Sequence, residues 1–338
     1  MYVKRNISWK IVFRIAWKNL IFFTFYGTAV VFTFHYFDHH DVNVSIPFLP
    51  ISTIGIAVAF YVGFKNNQAY DRFWEGRKIW GGIVNYSRTW GNAILSFVSL
   101  KHANADITDK ALFEHQRILI YRHIAWINAL RLQLRKPSIF SINFNKSISK
   151  FYQGAPGSED WKNNVGTFLP EEEKEPLKNR KNAATQLVRN QGAHLKKIEE
   201  LGLIEDFRHM ELMSYLEEFY NLQGKCERIK NTPLPRQYAF FSNLFVWVFI
   251  LLMPFGLVGE FAEMGHDFIW LMIPIYVLVS WIFITMEVVG DNSEDPFENF
   301  VNDVPMTALC RTIEIDLRDM LDEDNLPEKI SPVDNILM

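Results

Sequence analysis

The stretch of residues 49–90 passes from an apolar sequence to a charged one. Its first part, up to Phe64, carries no charge and ends in a nearly continuous apolar run. From Lys65 onward, charged and amide side chains recur every few residues, and large aromatic residues continue among them. This pattern predicts one helix that leaves a lipid bilayer and continues into water inside a protein assembly. A polar conduit through a membrane needs such an element, because it belongs to both phases.

The composition indicates a membrane protein with a large polar part. Of the 338 residues, 49% are hydrophobic, yet charges are dense between Lys65 and Arg236 and rare in several other blocks. The net charge of -3 gives no general attraction for nucleic acid, so no nucleic-acid partner is expected. Cys226 and Cys310 lie on segments predicted to be cytoplasmic and are expected to be reduced thiols. No removable signal peptide is expected, since no small-residue cleavage site follows a short apolar core.

Four apolar segments are predicted to cross the bilayer, which takes about 20 residues and at least about 17. They are residues 20–37, 48–64, 239–258 and 268–289. The second has the minimum length and is the one expected to be screened from lipid. Residues 1–18 contain basic residues and no acid, whereas the short loops after the first and third segments contain acids and no Lys or Arg. The positive-inside rule therefore places both termini and the region between the second and third segments in the cytoplasm.

The predicted organisation follows from these segments. Residues 1–64 hold an N-terminal amphipathic segment and two membrane helices, and residues 65–238 form a cytosolic helical region. Residues 239–289 form the last two membrane helices, and residues 290–338 form a cytosolic tail. Helices with apolar stripes need partners, which an oligomer around a central axis would supply.

Within the cytosolic region, apolar periodicity predicts helices over residues 65–135 and 182–228, with a polar break at 101–109. Glycine and proline punctuate residues 150–181, so an irregular, exposed excursion is predicted there. The tail begins as an amphipathic helix with apolar residues on one face from 309 to 321.

Ile56, Phe60 and Phe64 recur at i, i+4 and i+8 and therefore share one helical stripe. Around a symmetry axis they would form stacked apolar rings, which can gate a pore by dewetting. The opposing stripe consists of small residues, Gly55, Ala59 and Gly63. Small residues let neighbouring helices approach closely. From periodicity alone, a stripe that faces lipid or the protein core is the commoner alternative.

Two further features of this helix bear on ions. Its N-terminus, begun at Pro47 and again at Pro50, points the positive end of the helix dipole outward and weakly favours anions, although this is also an ordinary helix start. The sequence Y-D-R-F-W-E-G-R-K at residues 70–78 mixes charges with aromatic residues. Ion pairs between subunits are one hypothesis for it, and a solvated charged face is the alternative.

The sequence lacks the signatures of an enzyme. No phosphate-cradling glycine loop occurs, and the histidines are scattered. Residues 291–303 hold five acids, but their spacing does not match an EF-hand, and Phe297, Phe300 and Val301 interrupt them. We expect no catalytic residues, no bound metal and no cofactor.

Three motifs, in order relative to the four membrane segments, resemble the bestrophin family. They are G-F-K-N-N-x-x-Y-D-R-F-W-E-G-R-K-x-W-G at residues 63–81, N-T-P-L-P at 231–235 and D-P-F-x-N-F-V-N-D-V-P at 295–305. The resemblance covers most of the chain and is weakest at residues 150–181. It implies an all-α membrane protein with four transmembrane helices per subunit, continuous with a helical cytosolic domain, in a homopentamer around one pore. For a bacterial member, it implies a multi-pass protein of the cell inner membrane.

The resemblance also implies roles for particular residues. Carried over by position, a hydrophobic pore neck falls on Ile56, Phe60 and Phe64, with Gly63 as a hinge, and a cytosolic aperture falls on Phe207. The family motif residues implied in packing between subunits are Asn66, Asn67, Tyr70, Asp71, Arg72, Trp74, Glu75 and Trp80. The C-terminal motif is represented by Asp295, Pro296, Phe297, Asp303 and Pro305.

The C-terminal motif departs from that of calcium-gated animal bestrophins, which hold the ion with a dense acidic cluster just after the P-F pair. Here the corresponding places run from Glu298 to Asp303, and Asp303 alone keeps a carboxylate at a matching position. Calcium regulation is therefore not expected.

Three functions remain open from the sequence. The first is a pentameric channel for small anions such as chloride, as implied by a resemblance to a family of chiefly anion channels. The second is the same architecture passing monovalent cations (Na⁺ or K⁺), which the acidic external loops favour against the helix-dipole argument. The third is a four-span transporter or membrane sensor, although broken, inverted-repeat spans are not visible.

Overall fold

Helices form the regular secondary structure of the protein, shown here in a computed structural model that describes residues 1–7, 9–103, 107–137, 160–300 and 302–338. Within those ranges lie ten α-helices, namely α1 Trp9–Asp38, α2 Phe48–Phe97, α3 Asp109–Arg135, α4 Trp161–Asn164, α5 Glu171–Lys178, α6 Ala183–Glu200, α7 Asp206–Asn231, α8 Arg236–Glu263, α9 Met272–Ser293 and α10 Met306–Asp319. Short 3-10 helices lie at Leu100–His102, Gly166–Phe168 and His266–Leu271. The prediction of an all-α protein is confirmed.

Four helical segments of the described chain are long and apolar enough to cross a membrane. They are Ala16–Asp38, Phe48–His102, Arg236–Glu263 and His266–Ser293. Each contains one of the four segments predicted from the sequence, so the prediction of four membrane helices is confirmed. The second is far longer than a bilayer requires, because α2 continues without interruption into the charged sequence.

The chain forms two compact units. The membrane unit consists of Lys4–Arg72 and Pro233–Glu294, and the peripheral unit consists of Met1–Val3, Phe73–Thr232 and Asp295–Met338. Helix α2 contributes to both, because the boundary falls within it. The predicted boundaries at residues 64, 238 and 289 separate membrane helices from cytosolic regions, whereas the two units are defined by their internal packing. The predicted boundaries therefore stay a prediction.

Close helix packing builds the membrane unit. Helices α1 and α9 meet where the rings of Phe23 and Tyr276 lie 6.2 Å apart, centroid to centroid. Helices α2 and α8 meet at Gly55, where an added Cβ would lie 2.7 Å from the ring of Phe249. A small residue is therefore required at this crossing, as is typical of helix packing in membranes.

An aromatic core holds the peripheral unit together. Trp80 and Trp90 of α2 and Trp126 of α3 are buried in it. The indole N–H of Trp126 donates to Gln223 Oε1 at 3.0 Å, and its ring lies 5.0 Å from that of Phe219 on α7. Helix α10 adds Ile313 and Leu317 to the same core, and Leu321 joins them just after the helix ends, which confirms the amphipathic helix predicted for the tail. Both cysteines are buried free thiols.

Two sequence predictions for the peripheral unit were wrong in part. Residues 160–181 are not an exposed excursion, because α4 and α5 form there and Val165, Leu169 and Leu177 are buried in the core. Residues 150–159 of the predicted excursion lie outside the described residues. The helix predicted over 182–228 is two helices, since Gly202 adopts a φ of 74° and ends α6 with a left-handed residue.

Candidate functional site

The predicted neck residues lie on one exposed face of α2. Ile56 is 72% exposed, Phe60 68% and Phe64 54%. The rings of Phe60 and Phe64 touch edge to face, with centroids 4.6 Å apart and an interplanar angle of 88°. The subunit thus presents three large apolar side chains in a row on a surface that it does not cover itself.

The opposite face of the same helix is buried in the membrane unit. Ile51, Val58 and Val62 belong to its core, and Gly55 lies against Phe249. Gly63 differs from Gly55, because no atom would lie within 4 Å of an added Cβ there. The small residues predicted to permit close approach therefore do so within the subunit at Gly55 and not at Gly63.

The exposed face continues along α2 beyond the membrane segment. Asn67, Tyr70, Asp71 and Trp74 are exposed, and the helical spacing places them in line with Ile56 and Phe60. Other members of the motif are held inside their own unit. Arg72 donates to the Glu294 carbonyl at 2.9 Å in the membrane unit, and Glu75 pairs with Arg228 at 2.5 Å in the peripheral unit.

Trp80 lies deepest among the motif residues. It is 0% exposed, and its indole packs in the aromatic core of its own subunit. No part of this side chain is left at the surface for a neighbouring subunit. The predicted contacts between subunits can therefore involve the exposed members of the motif and not Trp80.

A buried charge cluster lies directly after Phe64. Lys65 Nζ contacts Glu287 and lies 2.5 Å from Asp291 Oδ1, and both acids belong to α9. The second carboxylate oxygen of Glu287 accepts a hydrogen bond from Ser242 of α8 at 2.6 Å. Lys65 and Glu287 are almost fully buried. The cluster therefore ties three helices of the membrane unit together just after the row of exposed apolar residues.

Asn66 adjoins this cluster. Its Oδ1 is buried and has no hydrogen-bond partner among the described residues, and it lies against Gly290 of α9 so closely that a Cβ there would collide with it. The K-N pair at residues 65–66 thus packs α2 tightly against α9.

The C-terminal motif packs against the first motif within the peripheral unit. Phe297 is fully buried, and Pro296 is buried beside it. An added Cβ at Gly76 would lie 3.0 Å from Phe297 Cζ and 3.4 Å from Pro296 Cγ. Two motifs more than two hundred residues apart therefore form one packed junction, which needs a residue without a side chain at position 76.

The acids of the C-terminal motif do not fit a calcium site. Asp303 is buried and accepts a hydrogen bond from the Phe300 N–H at 3.0 Å, and burial raises the pKa of this carboxyl to about 7. Glu298 forms an ion pair with Lys230 at 2.6 Å. Among the described residues, no group of three potential metal ligands is found. Calcium needs several ionised or carbonyl oxygens around one point, and these acids are engaged elsewhere.

Phe207, the predicted aperture residue, lies in the first turn of α7. It is 86% exposed, and Met210 is exposed one turn further on. Two large apolar side chains therefore stand on the surface of the peripheral unit. Their role as an aperture stays a prediction.

A family profile decides what these motifs belong to. The profile described as bacterial/fungal bestrophin protein matches residues 3–319, which is most of the chain. The chain belongs to the bestrophin family. The resemblance predicted from the three motifs is thereby confirmed.

Individual bestrophin relatives agree in length and fold. The voltage-dependent anion channel-forming protein YneE of Escherichia coli K12 is 28% identical over 334 residues, covering 98% of this chain and 95% of that protein. A voltage-dependent anion channel-forming protein of Mesorhizobium japonicum is 28% identical over 285 residues, or 84% and 78% of the two chains. The crystal structure of a bacterial bestrophin homologue from Klebsiella pneumoniae has a TM-score of 0.73 at 24% identity, over 90% of this chain and 98% of that one. Family and relatives confirm that the chain is not an enzyme.

The Lys65 cluster was not among the predicted sites of this bestrophin, although the sequence contains a signal for it. Glu287 is the single charged residue in the predicted segment 268–289, and Lys65 is the first charge after the segment 48–64. A charge inside a membrane segment nearly always has a partner, so the two could have been paired from their positions.

The junction of the two bestrophin motifs predicts a stability effect. We expect Gly76→Leu to destabilise the protein by about 1–3 kcal/mol, because Phe297 and Pro296 must move to admit the side chain. Thermal unfolding of the purified protein in detergent measures the change. Gly81→Leu on the same helix is the matched control, since its nearest neighbour is Arg77 Nη1 at 3.6 Å. Equal losses in the two variants would contradict the packing account.

The charge cluster predicts a larger effect. Lys65→Met leaves Glu287 and Asp291 facing each other without their cation, and removing one partner of a buried pair costs about 3–5 kcal/mol. We expect a matching fall in the unfolding midpoint, and we expect Lys65→Met/Glu287→Gln to recover part of it. A double variant whose loss equals the sum of the two single losses would show that the groups do not interact.

Proposed function

We propose that this bestrophin forms a homopentameric channel that passes small anions such as chloride through one axial pore. The observation that carries the proposal is the row of exposed apolar side chains at Ile56, Phe60 and Phe64, on the face of α2 opposite its buried face. The printed names of the curated relatives, which are anion channel-forming proteins, support the choice of ion class.

In a pentamer, the apolar row of each subunit would face the symmetry axis. Five copies of α2 around an axis would turn each exposed residue into a ring, and three stacked rings would make an apolar constriction. Water leaves an apolar pore that is sufficiently narrow, and ions do not cross the dry segment. Small changes in the width of the pore therefore switch conduction on and off. The rings of Phe60 and Phe64 touch edge to face, so their two rings would be neighbouring layers of this constriction.

Gly63 is the proposed hinge of this neck. Nothing in its own subunit lies within 4 Å of the place where its Cβ would stand. Glycine within a helix lowers its rigidity, because its backbone can leave the helical conformation most readily. A change of helix direction at Gly63 would alter the position of Phe64 and thereby the width of the lowest ring.

The exposed residues of α2 that follow Phe64 are proposed to pack between subunits. Asn67, Tyr70, Asp71 and Trp74 continue the face that bears the neck, and two of them are large aromatic side chains. Exposed aromatic residues of this size are typical of interfaces. Phe207 is proposed as a second constriction of the pore, on the basis of its exposure and of the position carried over from the family.

The proposed membrane is the bacterial inner membrane. The basic residues within residues 1–18 and the acidic loops predicted to be external support a topology with both termini, residues 65–238 and residues 290–338 in the cytoplasm. The first residues of α2 then meet the external mouth, where the positive end of the helix dipole favours an anion.

A channel for monovalent cations is the second candidate. The loops predicted to be external carry acids without compensating Lys or Arg, and the whole chain has a net charge of -3. Negative charge at a pore mouth concentrates cations there. The neck itself is uncharged, so it does not choose between the two classes of ion.

The sign of the reversal potential separates these candidates. In a planar bilayer with a KCl gradient, an anion channel reverses near the chloride equilibrium potential, and we expect this result for the purified protein. Reversal near the potassium potential would establish the cation channel instead.

Mass photometry of the same preparation is expected to show five copies, whereas a monomer or dimer would favour a four-span transporter or sensor.

The proposed neck predicts an effect of its side chains on single-channel conductance. We expect Ile56→Ala/Phe60→Ala/Phe64→Ala to raise single-channel conductance, because the variant widens the constriction and lowers the barrier to wetting. Bilayer recording measures it. The matched control is Ile275→Ala/Leu278→Ala/Ile282→Ala, which shortens three exposed apolar side chains on α9. Unchanged current in the first variant, or an equal rise in the control, would count against the neck.

A further inference from the structure

Two histidine rings from distant parts of the chain lie side by side in the membrane unit. His35 lies in the last turn of α1, and His266 is the first residue of the 3-10 helix that precedes α9. Their ring centroids are 6.4 Å apart, and both residues are exposed. The positive-inside rule places this end of the unit on the external side. Because more than two hundred residues separate the two histidines, the sequence alone did not indicate this pair.

The His35 ring is held with one nitrogen available to a metal. Its Nδ1 lies 3.0 Å from the Val31 carbonyl, and because a carbonyl only accepts, Nδ1 carries the proton. The lone pair of the neutral ring is then on Nε2. Histidines that bind metals typically donate their other ring N–H in this way, which fixes the tautomer and the orientation. The indole of Trp270 packs against the ring, with centroids 6.0 Å apart, and adds to this constraint.

The backbone at His266 is fixed as well. Gly265 before it has a φ of 129°, a conformation that favours glycine, and its carbonyl accepts the Phe268 N–H at 2.9 Å. Ile269 is fully buried in the core of the membrane unit. The turn therefore keeps the backbone of His266 beside the end of α1, while the exposed ring can rotate.

A third imidazole, that of His39, follows one helical turn after His35. The His39 N–H donates to the His35 carbonyl at 3.2 Å, so the helical repeat extends to it. Histidines at i and i+4 share one face of a helix, a spacing that zinc sites use. As the side chains stand, the described residues contain no group of three ligands around one point. Rotation of the exposed His39 side chain would bring its imidazole toward the pair, and water can fill the remaining positions.

The charges near the pair favour a cation. Four acids lie close to the two histidines in the sequence, namely Asp38, Asp41, Glu263 and Asp267. No Lys or Arg occurs in residues 19–64 or 237–310, which contain both histidines. The local field therefore attracts a divalent cation, and these segments supply no side-chain cation that would compete with it.

The separation of the rings suits an ion of the zinc class. Nitrogen ligands lie about 2 Å from Zn²⁺, so two imidazoles on one tetrahedral ion have centroids about 5 Å apart. The pair of His35 and His266 is wider than this by about 1 Å, a difference that rotation of the exposed His266 ring closes. Imidazole nitrogen suits Zn²⁺, Cu²⁺ and Ni²⁺, whereas Ca²⁺ and Mg²⁺ prefer oxygen ligands.

A second pair of histidines, in the peripheral unit, is not arranged for a metal. His115 Nδ1 and His194 Nε2 lie 3.0 Å apart and share a hydrogen bond. Arg122 donates to His194 Nδ1 at 3.1 Å, so the proton of the neutral His194 ring is on Nε2 and points at His115. A metal on Nε2 would force this proton onto Nδ1, against the guanidinium N–H. The pair of His115 and His194 is therefore a matched control.

We propose that His35 and His266 bind a divalent transition-metal ion of the zinc class, with His39 as a third ligand. The ion joins the end of α1 to the segment before α9 on the side predicted to be external. This proposal does not depend on the proposed channel function, because it rests on residues of one subunit and on no property of the pore.

Isothermal titration calorimetry of the purified full-length protein, without a histidine tag and in detergent, tests the proposal with ZnCl₂, NiCl₂ and CaCl₂. We expect Zn²⁺ and Ni²⁺ to bind and Ca²⁺ to give no measurable heat, since imidazoles and not carboxylates are the ligands. Absence of Zn²⁺ binding would overturn the proposal. Ca²⁺ binding as tight as that of Zn²⁺ would show that the acids hold the ion, and it would overturn the proposal as well.

Histidine variants locate the site. We expect His35→Gln/His266→Gln to weaken Zn²⁺ binding by more than about a hundredfold, because losing a ligand costs at least as much as losing the hydrogen bond that supports it. His39→Gln is expected to weaken it by about tenfold, and no change would overturn the role of His39. The control His115→Gln/His194→Gln also removes two neighbouring imidazoles and is expected to retain Zn²⁺ affinity. Equal weakening in the two double variants, or none in the first, would overturn the site.

Thermal unfolding gives a second measurement. Zn²⁺ bound between α1 and the segment before α9 is expected to raise the unfolding midpoint of the protein and not that of His35→Gln/His266→Gln. A midpoint that saturating Zn²⁺ leaves unchanged would overturn the bridge. Because both readouts are binding and stability and not current, a negative result here is separate from any failure of channel activity.

Discussion

The buried contact of Lys65 with Glu287 and Asp291 constrains everything proposed for the membrane unit. A charge buried among apolar helices is tolerable only with a partner, so α2 cannot rotate or slide against α9 without exposing an unpaired lysine to that environment. Lys65 lies on the face of α2 opposite Ile56 and Phe60. Fixing Lys65 inward therefore turns the apolar row outward. The hydrogen bond from Ser242 extends the same constraint to α8.

A second junction fixes the packing of α2 in the peripheral unit, as the charge cluster fixes it in the membrane unit. Gly76 lets Phe297 and Pro296 pack directly on α2, and the ion pair of Glu298 with Lys230 holds the C-terminal motif to α7. The acids of this motif act as structural groups, since each one described above is engaged by a hydrogen bond or an ion pair. In this chain the C-terminal motif therefore serves as a packing element.

The proposed channel separates its tasks between apolar and charged surfaces. The neck is uncharged, so it sets whether water and ions pass rather than which ions pass. Selection by charge is left to other places, such as the start of α2 and the external loops.

Four membrane helices, the continuation of α2 into a charged sequence and the family could be predicted from the chain alone, because apolar length, helical period and motif order are local properties of the sequence. The sequence also identified the row at Ile56, Phe60 and Phe64, but periodicity defines a stripe without saying what covers it. Tertiary structure decided that this face is open, that Trp80 is enclosed, and that Lys65 meets Glu287. It also showed that residues 160–181 pack into the core and that Gly202 divides two helices. These facts depend on partners far apart in the chain, and no local pattern encodes which distant side chain fills a given place.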